Sequence, residues 1–171
     1  MTLTPLLQSD LAIQVHAFSA IAAALIGALV LWRQKGTELH KMLGRVWVAL
    51  MLITATSALF IHEIRLIGPF SPIHLFSIFT YVSLSQGLYA IIVKRDVRRH
   101  RAEMQGAYIG ALMLAGAFTF LPGRRMHAVV FGPNAGWTES LVTIGIILSL
   151  AAIVWLRMRK SALSLPLPTR D

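Results

Sequence analysis

The sequence predicts an all-α, polytopic membrane protein in which a fifth transmembrane helix joins an antiparallel four-helix bundle. Two observations carry this prediction. Of the 171 residues, 56% are apolar and only 13% are charged, whereas roughly 25% of the residues in soluble proteins are charged. Apolar runs of about twenty residues, the length needed to cross a hydrocarbon core, also recur along the chain. A transmembrane barrel is disfavoured because its strands would be short and alternating.

These apolar runs define five transmembrane helices. They are predicted over residues 11–32, 43–61, 73–93, 105–121 and 138–156. We assign residues 1–160 to a single transmembrane domain. Residues 161–171 are predicted to form a flexible cytoplasmic tail, because Pro166 and Pro168 oppose regular structure there.

Local residues mark where several of these helices begin. Ser9 and Asp10 precede the first span, Thr37 precedes the second, and Asp96 precedes the fourth. Serine, threonine and aspartate side chains accept a hydrogen bond from a free N–H group of a first helical turn. We therefore expect these residues to cap their helices.

The basic residues indicate the orientation. Of the 16 lysines and arginines, all but Arg65, Arg124 and Arg125 fall on the side of the membrane that holds the C-terminus. The positive-inside rule therefore places the N-terminus outside and the C-terminus in the cytoplasm. The predicted location is the bacterial inner membrane, crossed several times. The net charge of +9 is explained by topology and by contact with the anionic lipid bilayer, so nucleic acid is not expected as a partner.

The residue types present exclude several kinds of chemistry. The chain has no cysteine, which excludes disulfides, thiolate metal sites and cysteine nucleophiles. No pattern for a serine or threonine nucleophile, a phosphate-binding glycine loop or a paired-carboxylate site is present. Neither a hydrolase nor a transferase is indicated.

Four of the six histidines lie near the ends of predicted helices. His16 and His74 lie toward the outer face on the first and third spans, whereas His40 and His100 lie toward the cytoplasm on the second and fourth. In an up-down bundle these are the two pairs of diagonal helices. Neutral imidazoles that face each other across a bundle can hold haem b. The layout favours a transmembrane electron carrier with one haem at each pair and a quinone or a redox protein as its candidate partner.

Other interpretations of the same histidines stay open. A histidine at a helix end also bonds to a loop carbonyl or reaches the lipid interface, and for each histidine taken singly this structural role is favoured. A zinc or copper site on the outer face is an alternative, with His16, His74 and His127 as its nitrogen ligands; His62 and Glu63 lie on the same side. A non-catalytic accessory subunit of a membrane complex is a further alternative. The sequence does not indicate an oligomeric state.

Arg124 and Arg125 are exceptions to the shortage of positive charge on the outer side. They either contact lipid headgroups or anchor an anion such as a haem propionate over an outer cavity. The planar fork of arginine suits a carboxylate. Arg124 is therefore a candidate cofactor-binding residue beside the four histidines.

Several motifs together resemble a known family. They are Gly36-Thr37 followed by His40, Gly44-Arg45 and Trp47; His100 followed by Met104; and Leu121-Pro122-Gly123-Arg124 followed by Met126-His127. The pattern resembles a family of predicted bacterial integral membrane proteins of unknown function, and the resemblance extends to about Phe131. It implies a compact inner-membrane protein with histidines at helix ends and no established activity. In architecture alone, the histidine layout is similar to transmembrane b-type cytochromes that pass electrons from ascorbate.

Overall fold

The computed structural model describes residues 3–61, 72–132 and 135–163. Within these ranges the chain is helical and contains no strand, which confirms the predicted all-α class. Its helices are α1 (Thr4–Leu7), α2 (Leu11–Trp32), α3 (Glu38–Ala58), α4 (Pro72–Ile92), α5 (Val97–Gly106), α6 (Leu114–Phe118), α7 (Arg125–Phe131) and α8 (Trp137–Leu163). A π-helical segment, Ala107–Met113, joins α5 to α6. His62, Glu63, Arg65 and the predicted tail beyond Leu163 lie outside the described residues.

Four of the described helices are long and apolar enough to cross a membrane. They are α2, α3, the part of α4 from His74, and the part of α8 up to Leu156. The bounds of α2 are those predicted from the sequence. The protein is therefore an α-helical membrane protein with at least these four candidate spans.

Two of the predicted helix caps are confirmed. The Thr37 side chain accepts a hydrogen bond from the His40 N–H at 3.2 Å, and Asp96 accepts one from the Arg99 N–H at 2.9 Å. Because Thr37 caps α3, that helix begins before the predicted residue 43 and includes a polar first turn. The prediction is wrong for Asp10, whose side chain makes no capping bond. It is also wrong for Ser9, whose hydroxyl bonds to the Leu6 carbonyl instead.

The predicted span over residues 105–121 takes a different form. The chain is helical from Val97 to Phe118, but it passes from α5 through the π-helical segment into α6. The α5 part is polar and has no buried residue. This helix is not among the four apolar candidates, so its crossing of the membrane stays a prediction.

The helices pack in chain order around a ring. α2 packs on α3, α3 on α4, α4 on α5 and the π-helical segment, and that segment packs back on α2. Neighbours are antiparallel, because His16 lies opposite Thr54 and His100 lies opposite Gly87. α8 packs outside the ring, on α6 and the π-helical segment. We call the end with residues 33–37 and 93–96 the basic end, and the end with α1 and α7 the cavity end.

A hydrophobic core fills the half of the bundle toward the basic end. Its buried members are Ala23, Trp47, Met51, Leu84, Ala107, Tyr108, Ala111 and Leu112. The rings of Trp47 and Tyr108 lie 6.5 Å apart, centre to centre. The Tyr108 hydroxyl donates a hydrogen bond to the Ala24 carbonyl at 3.0 Å. This bond satisfies a phenol that lies in an otherwise apolar core.

Candidate functional site: an apolar cavity

A cavity of about 780 Å³ occupies the half of the bundle toward the cavity end. Its walls come from α2, α3, α4, the π-helical segment, α6 and α8, together with residues of α1 and α7. Small residues contribute to the space, because several alanines of α2 and α3 line it, as do Ala115, Gly116 and Ala117 of α6. Its volume falls within the roughly 300–1,000 Å³ typical of ligand pockets.

His16 brings a ring nitrogen to this cavity. Its Nδ1 lies 2.9 Å from the Thr54 carbonyl oxygen. A carbonyl can only accept, so Nδ1 carries the hydrogen and Nε2 of the neutral ring carries the lone pair. A hydrogen bond of this kind fixes both the tautomer and the ring orientation, as in histidines that bind metals. His16 is the histidine among the residues that line the cavity.

His74 lies elsewhere on the cavity end. Its Nε2 is 3.3 Å from the Leu59 carbonyl oxygen at the end of α3, and His74 is not among the lining residues. His16 and His74 thus each contact a carbonyl near the C-terminal end of α3. The structure does not bring the two rings to a common cavity.

His40 and His100 are brought into electrostatic range of each other at the basic end. The Nδ1 atom of His100 lies 2.9 Å from the Gly87 carbonyl oxygen, which leaves its Nε2 with the lone pair. The Nδ1 atom of His40 is buried and has no hydrogen-bond partner within the described part of the chain. Further into the bundle, the Trp47 and Tyr108 rings occupy the space between the helices.

Lys35 and Arg101 add positive charge beside these two histidines. The Lys35 ammonium donates to the Leu31 and Arg33 carbonyls at the end of α2, where a cation suits the helix dipole. Partial burial lowers the pKa of Lys35, and the nearby Arg101 guanidinium lowers it further. The Lys35 ammonium therefore loses its proton, and with it the favourable charge at this helix end, at a lower pH than an ordinary lysine does.

Arg124 and Arg125 are among the residues that line the cavity. The Arg124 guanidinium lies 4.7 Å from the centre of the Phe118 ring, a cation–π contact. Arg125 donates a hydrogen bond to the Pro5 carbonyl at 3.4 Å, which links α7 to α1. Both guanidiniums therefore lie at the edge of an apolar space.

His127 is buried in α7, away from the cavity lining. Its Nε2 lies 3.4 Å from the Gly136 carbonyl oxygen, and its ring contacts the Phe131 ring. The predicted outer-face metal site is not assembled within the described ranges, because these hold no group of three or more histidine, cysteine or carboxylate residues that could bind a metal ion. The other predicted donors, His62 and Glu63, lie outside those ranges.

The sequence predictions did not include Thr54, and they did not identify the residues that form the walls of the cavity. Thr54 is buried, bonds through its carbonyl to His16 and lies 2.8 Å from the Ser19 hydroxyl. One feature of the sequence could have indicated Thr54. Small and hydroxyl residues make up the run Thr54-Ala55-Thr56-Ser57-Ala58, and such residues favour a helix face that packs inside the bundle over one that faces lipid. That signal indicates close packing as readily as it indicates a cavity.

Comparison with known proteins places the chain in a family without an assigned activity. The family model described as predicted membrane protein (DUF2306) matches residues 13–158. No curated protein and no solved structure matches the chain. The family match spans most of the helical ring, most of the cavity lining and most of α8, and it confirms the resemblance inferred from the motifs. The chain belongs to the membrane protein family DUF2306.

Proposed function

We propose that this membrane protein binds an apolar molecule taken from the bilayer in the cavity beside His16. The observation that carries the proposal is the cavity of about 780 Å³, whose lining is apolar except for His16, the two arginines and a few hydroxyl residues. A pocket of this size and composition suits an elongated hydrophobic ligand with a small polar group.

The packing of α8 supports access from the side. Residues of both α2 and α8 line the cavity, but α8 packs on α6 and the π-helical segment. Leu25 and Leu148, one from each side, line the cavity and are exposed. In a bilayer this side faces the hydrocarbon, so a membrane-soluble ligand reaches the cavity without crossing water.

Photo-crosslinking tests the proposal. The purified protein in nanodiscs of zwitterionic lipid is irradiated with a diazirine-bearing fatty acid methyl ester, and the labelled residues are mapped by mass spectrometry. We expect saturable labelling of cavity residues such as Ala55 and Met113, displaced by excess unlabelled ester. Labelling that is confined to exposed residues such as Leu29 and never saturates would refute the proposal. The alternative of an accessory subunit would then be tested by purification of the protein with its partners.

Haem b is a second candidate ligand for the cavity, and the tautomer of His16 favours haem binding. The Nε2 lone pair of His16 suits an axial iron ligand, and Arg124 at the cavity edge suits a propionate. His74 is less suitable as the second axial ligand of this haem, because it does not line the cavity. At the basic end, Nδ1 of His40 and Nε2 of His100 are the ring nitrogens left for a second haem. Such a protein would pass electrons to or from a quinone or a redox protein.

An optical spectrum separates the two candidates. Protein expressed with ample haem and then reduced with dithionite would show a Soret band and an α-band if haem binds. A spectrum without either band removes the haem candidate. It leaves the proposal of an apolar ligand untouched, because that ligand need not absorb visible light.

We further propose that the protein lies in a bacterial inner membrane with its N-terminus outside and with the α5–α6 helix as a fifth span. The asymmetry of basic residues supports this orientation. Because the chain has no cysteine, Gln8→Cys and Gln34→Cys each introduce a single thiol, one on either side of α2. We expect a membrane-impermeant maleimide to label Gln8→Cys on intact spheroplasts and Gln34→Cys only after lysis. The reverse pattern would invert the topology.

A further inference from the structure

We propose that the ligand of the cavity carries an oxyanion, a carboxylate or a phosphate, that is held by Arg124. This inference rests on the proposed function, since it names the polar group of the same ligand. The predicted ligand is thus an anionic amphiphile whose chain fills the apolar cavity.

Three of the hydroxyl groups that line the cavity are already used as donors. Thr54 donates to the Leu50 carbonyl at 2.8 Å, Thr80 to the Phe76 carbonyl at 2.7 Å and Thr119 to the Gly116 carbonyl at 2.7 Å. His16 uses its Nδ1 hydrogen on the Thr54 carbonyl. These groups can still accept a hydrogen bond, but they have no remaining hydrogen for a ligand.

Arg124 is a lining residue with donors to spare. Its guanidinium contacts the Phe118 ring and forms none of the ion pairs found among the described residues, which are Lys41–Glu38 and Arg99–Glu103. Both of these pairs lie toward the basic end. An arginine that is half-buried beside an apolar space and lacks a carboxylate partner favours an anion in that space.

The acidic residues described at the cavity end do not supply that anion. They are Asp10, at the start of α2, and Glu139, in the first turn of α8. Glu139 accepts a hydrogen bond from the Gly136 N–H at 3.1 Å, and neither residue is ion-paired with Arg124. The positive charge is therefore left for a group that the described residues do not provide.

An oxyanion fits the guanidinium better than a neutral polar group does. The planar fork of arginine offers two parallel N–H donors to a carboxylate or phosphate, and such charge-assisted bonds are stronger than neutral ones. The oxyanion has two natural sources in a membrane: the carboxylate of a free fatty acid and the phosphate of a phospholipid. Both would place the charge at the Arg124 end of the cavity and the chain toward Ala20.

The test compares a diazirine-bearing fatty acid with its methyl ester at about pH 9, where the carboxyl group stays ionised even if burial raises its pKa. We expect half-maximal labelling of the wild-type cavity at an acid concentration about tenfold below that of the ester. Arg124→Gln should remove that difference and leave ester labelling unchanged, and Arg124→Lys should retain part of it. Arg98→Gln, on the exposed surface of α5, is the matched control and should behave as wild type.

The possible results distinguish the proposal that the cavity binds a ligand from the proposal that the ligand carries an oxyanion. Equal labelling by acid and ester, with no effect of Arg124→Gln, would overturn the oxyanion and keep the cavity. Saturable labelling by neither probe would overturn the cavity itself. In a final arm, excess phosphatidylglycerol or excess unlabelled fatty acid is added to the zwitterionic nanodiscs. The competitor that displaces the probe at the lower concentration shows whether the site prefers the phosphate or the carboxylate.

Discussion

Replacing Ala20 by phenylalanine is expected to weaken ligand binding in the cavity without loss of the fold. Ala20 lies on α2 and lines the cavity, so a phenyl ring at this position would occupy space that the ligand needs. Half-maximal labelling by the methyl ester should need about tenfold more ester, because the phenyl ring takes part of the space in which the ligand packs against the apolar wall. Filling a cavity commonly stabilises a protein, so the midpoint of thermal unfolding should be unchanged or raised.

The same substitution at Ala28 is the matched control. Ala28 lies on the same helix, is exposed, and does not line the cavity. Ala28→Phe adds the same side chain toward the lipid and should leave labelling at its wild-type level. If Ala20→Phe were labelled at the same residues and to the same extent as Ala28→Phe, the cavity would not be the binding site.

Replacing Gly27 by alanine is expected to destabilise the half of the bundle toward the basic end. A Cβ atom at Gly27 would lie 2.5 Å from Nε1 of Trp47 and 2.6 Å from the Tyr108 ring. Both rings belong to the buried core and cannot move aside without disturbing it. Overpacking of this kind costs about 1–3 kcal/mol, which should lower the midpoint of thermal unfolding in detergent by roughly 2–10 °C.

Gly44→Ala provides the comparison for Gly27→Ala. Gly44 lies in α3, and a Cβ atom there would meet nothing within 4 Å. Alanine has the higher helix propensity by about 1 kcal/mol, so Gly44→Ala should leave the unfolding midpoint unchanged or raise it slightly. Equal midpoints for the two variants would show that the Trp47–Tyr108 core tolerates a methyl group at Gly27.

The helix caps could be predicted from local sequence in part. Thr37 and Asp96 cap their helices as predicted because capping involves only residues three apart in the chain. Asp10 has the same chemical type but does not cap α2. Gln14 lies near it and donates instead to the Ser9 and Leu7 carbonyls, so the turn between α1 and α2 is held by a different set of bonds.

The orientation of the histidine rings could not be predicted from local sequence. Their positions near helix ends follow from the predicted spans, but the direction of each ring depends on the neighbouring helix. His16 turns to the Thr54 carbonyl, whereas His100 turns to the Gly87 carbonyl. The π-helical segment Ala107–Met113 likewise has no proline to explain its wider turns. Its Tyr108 is held by a long-range contact with Ala24.

The sequence by itself determined that the chain is a helical membrane protein, where α2 begins and ends, and which family the chain belongs to. These properties depend on the length and polarity of contiguous runs and on short motifs, so they can be derived without knowledge of neighbouring helices. Only the tertiary structure decided that His16 lines a cavity, that His74 does not, and that Arg124 lies at the edge of that cavity without a carboxylate partner. Such properties arise where side chains from several helices meet, and small residues in a sequence predict close packing and open space equally well.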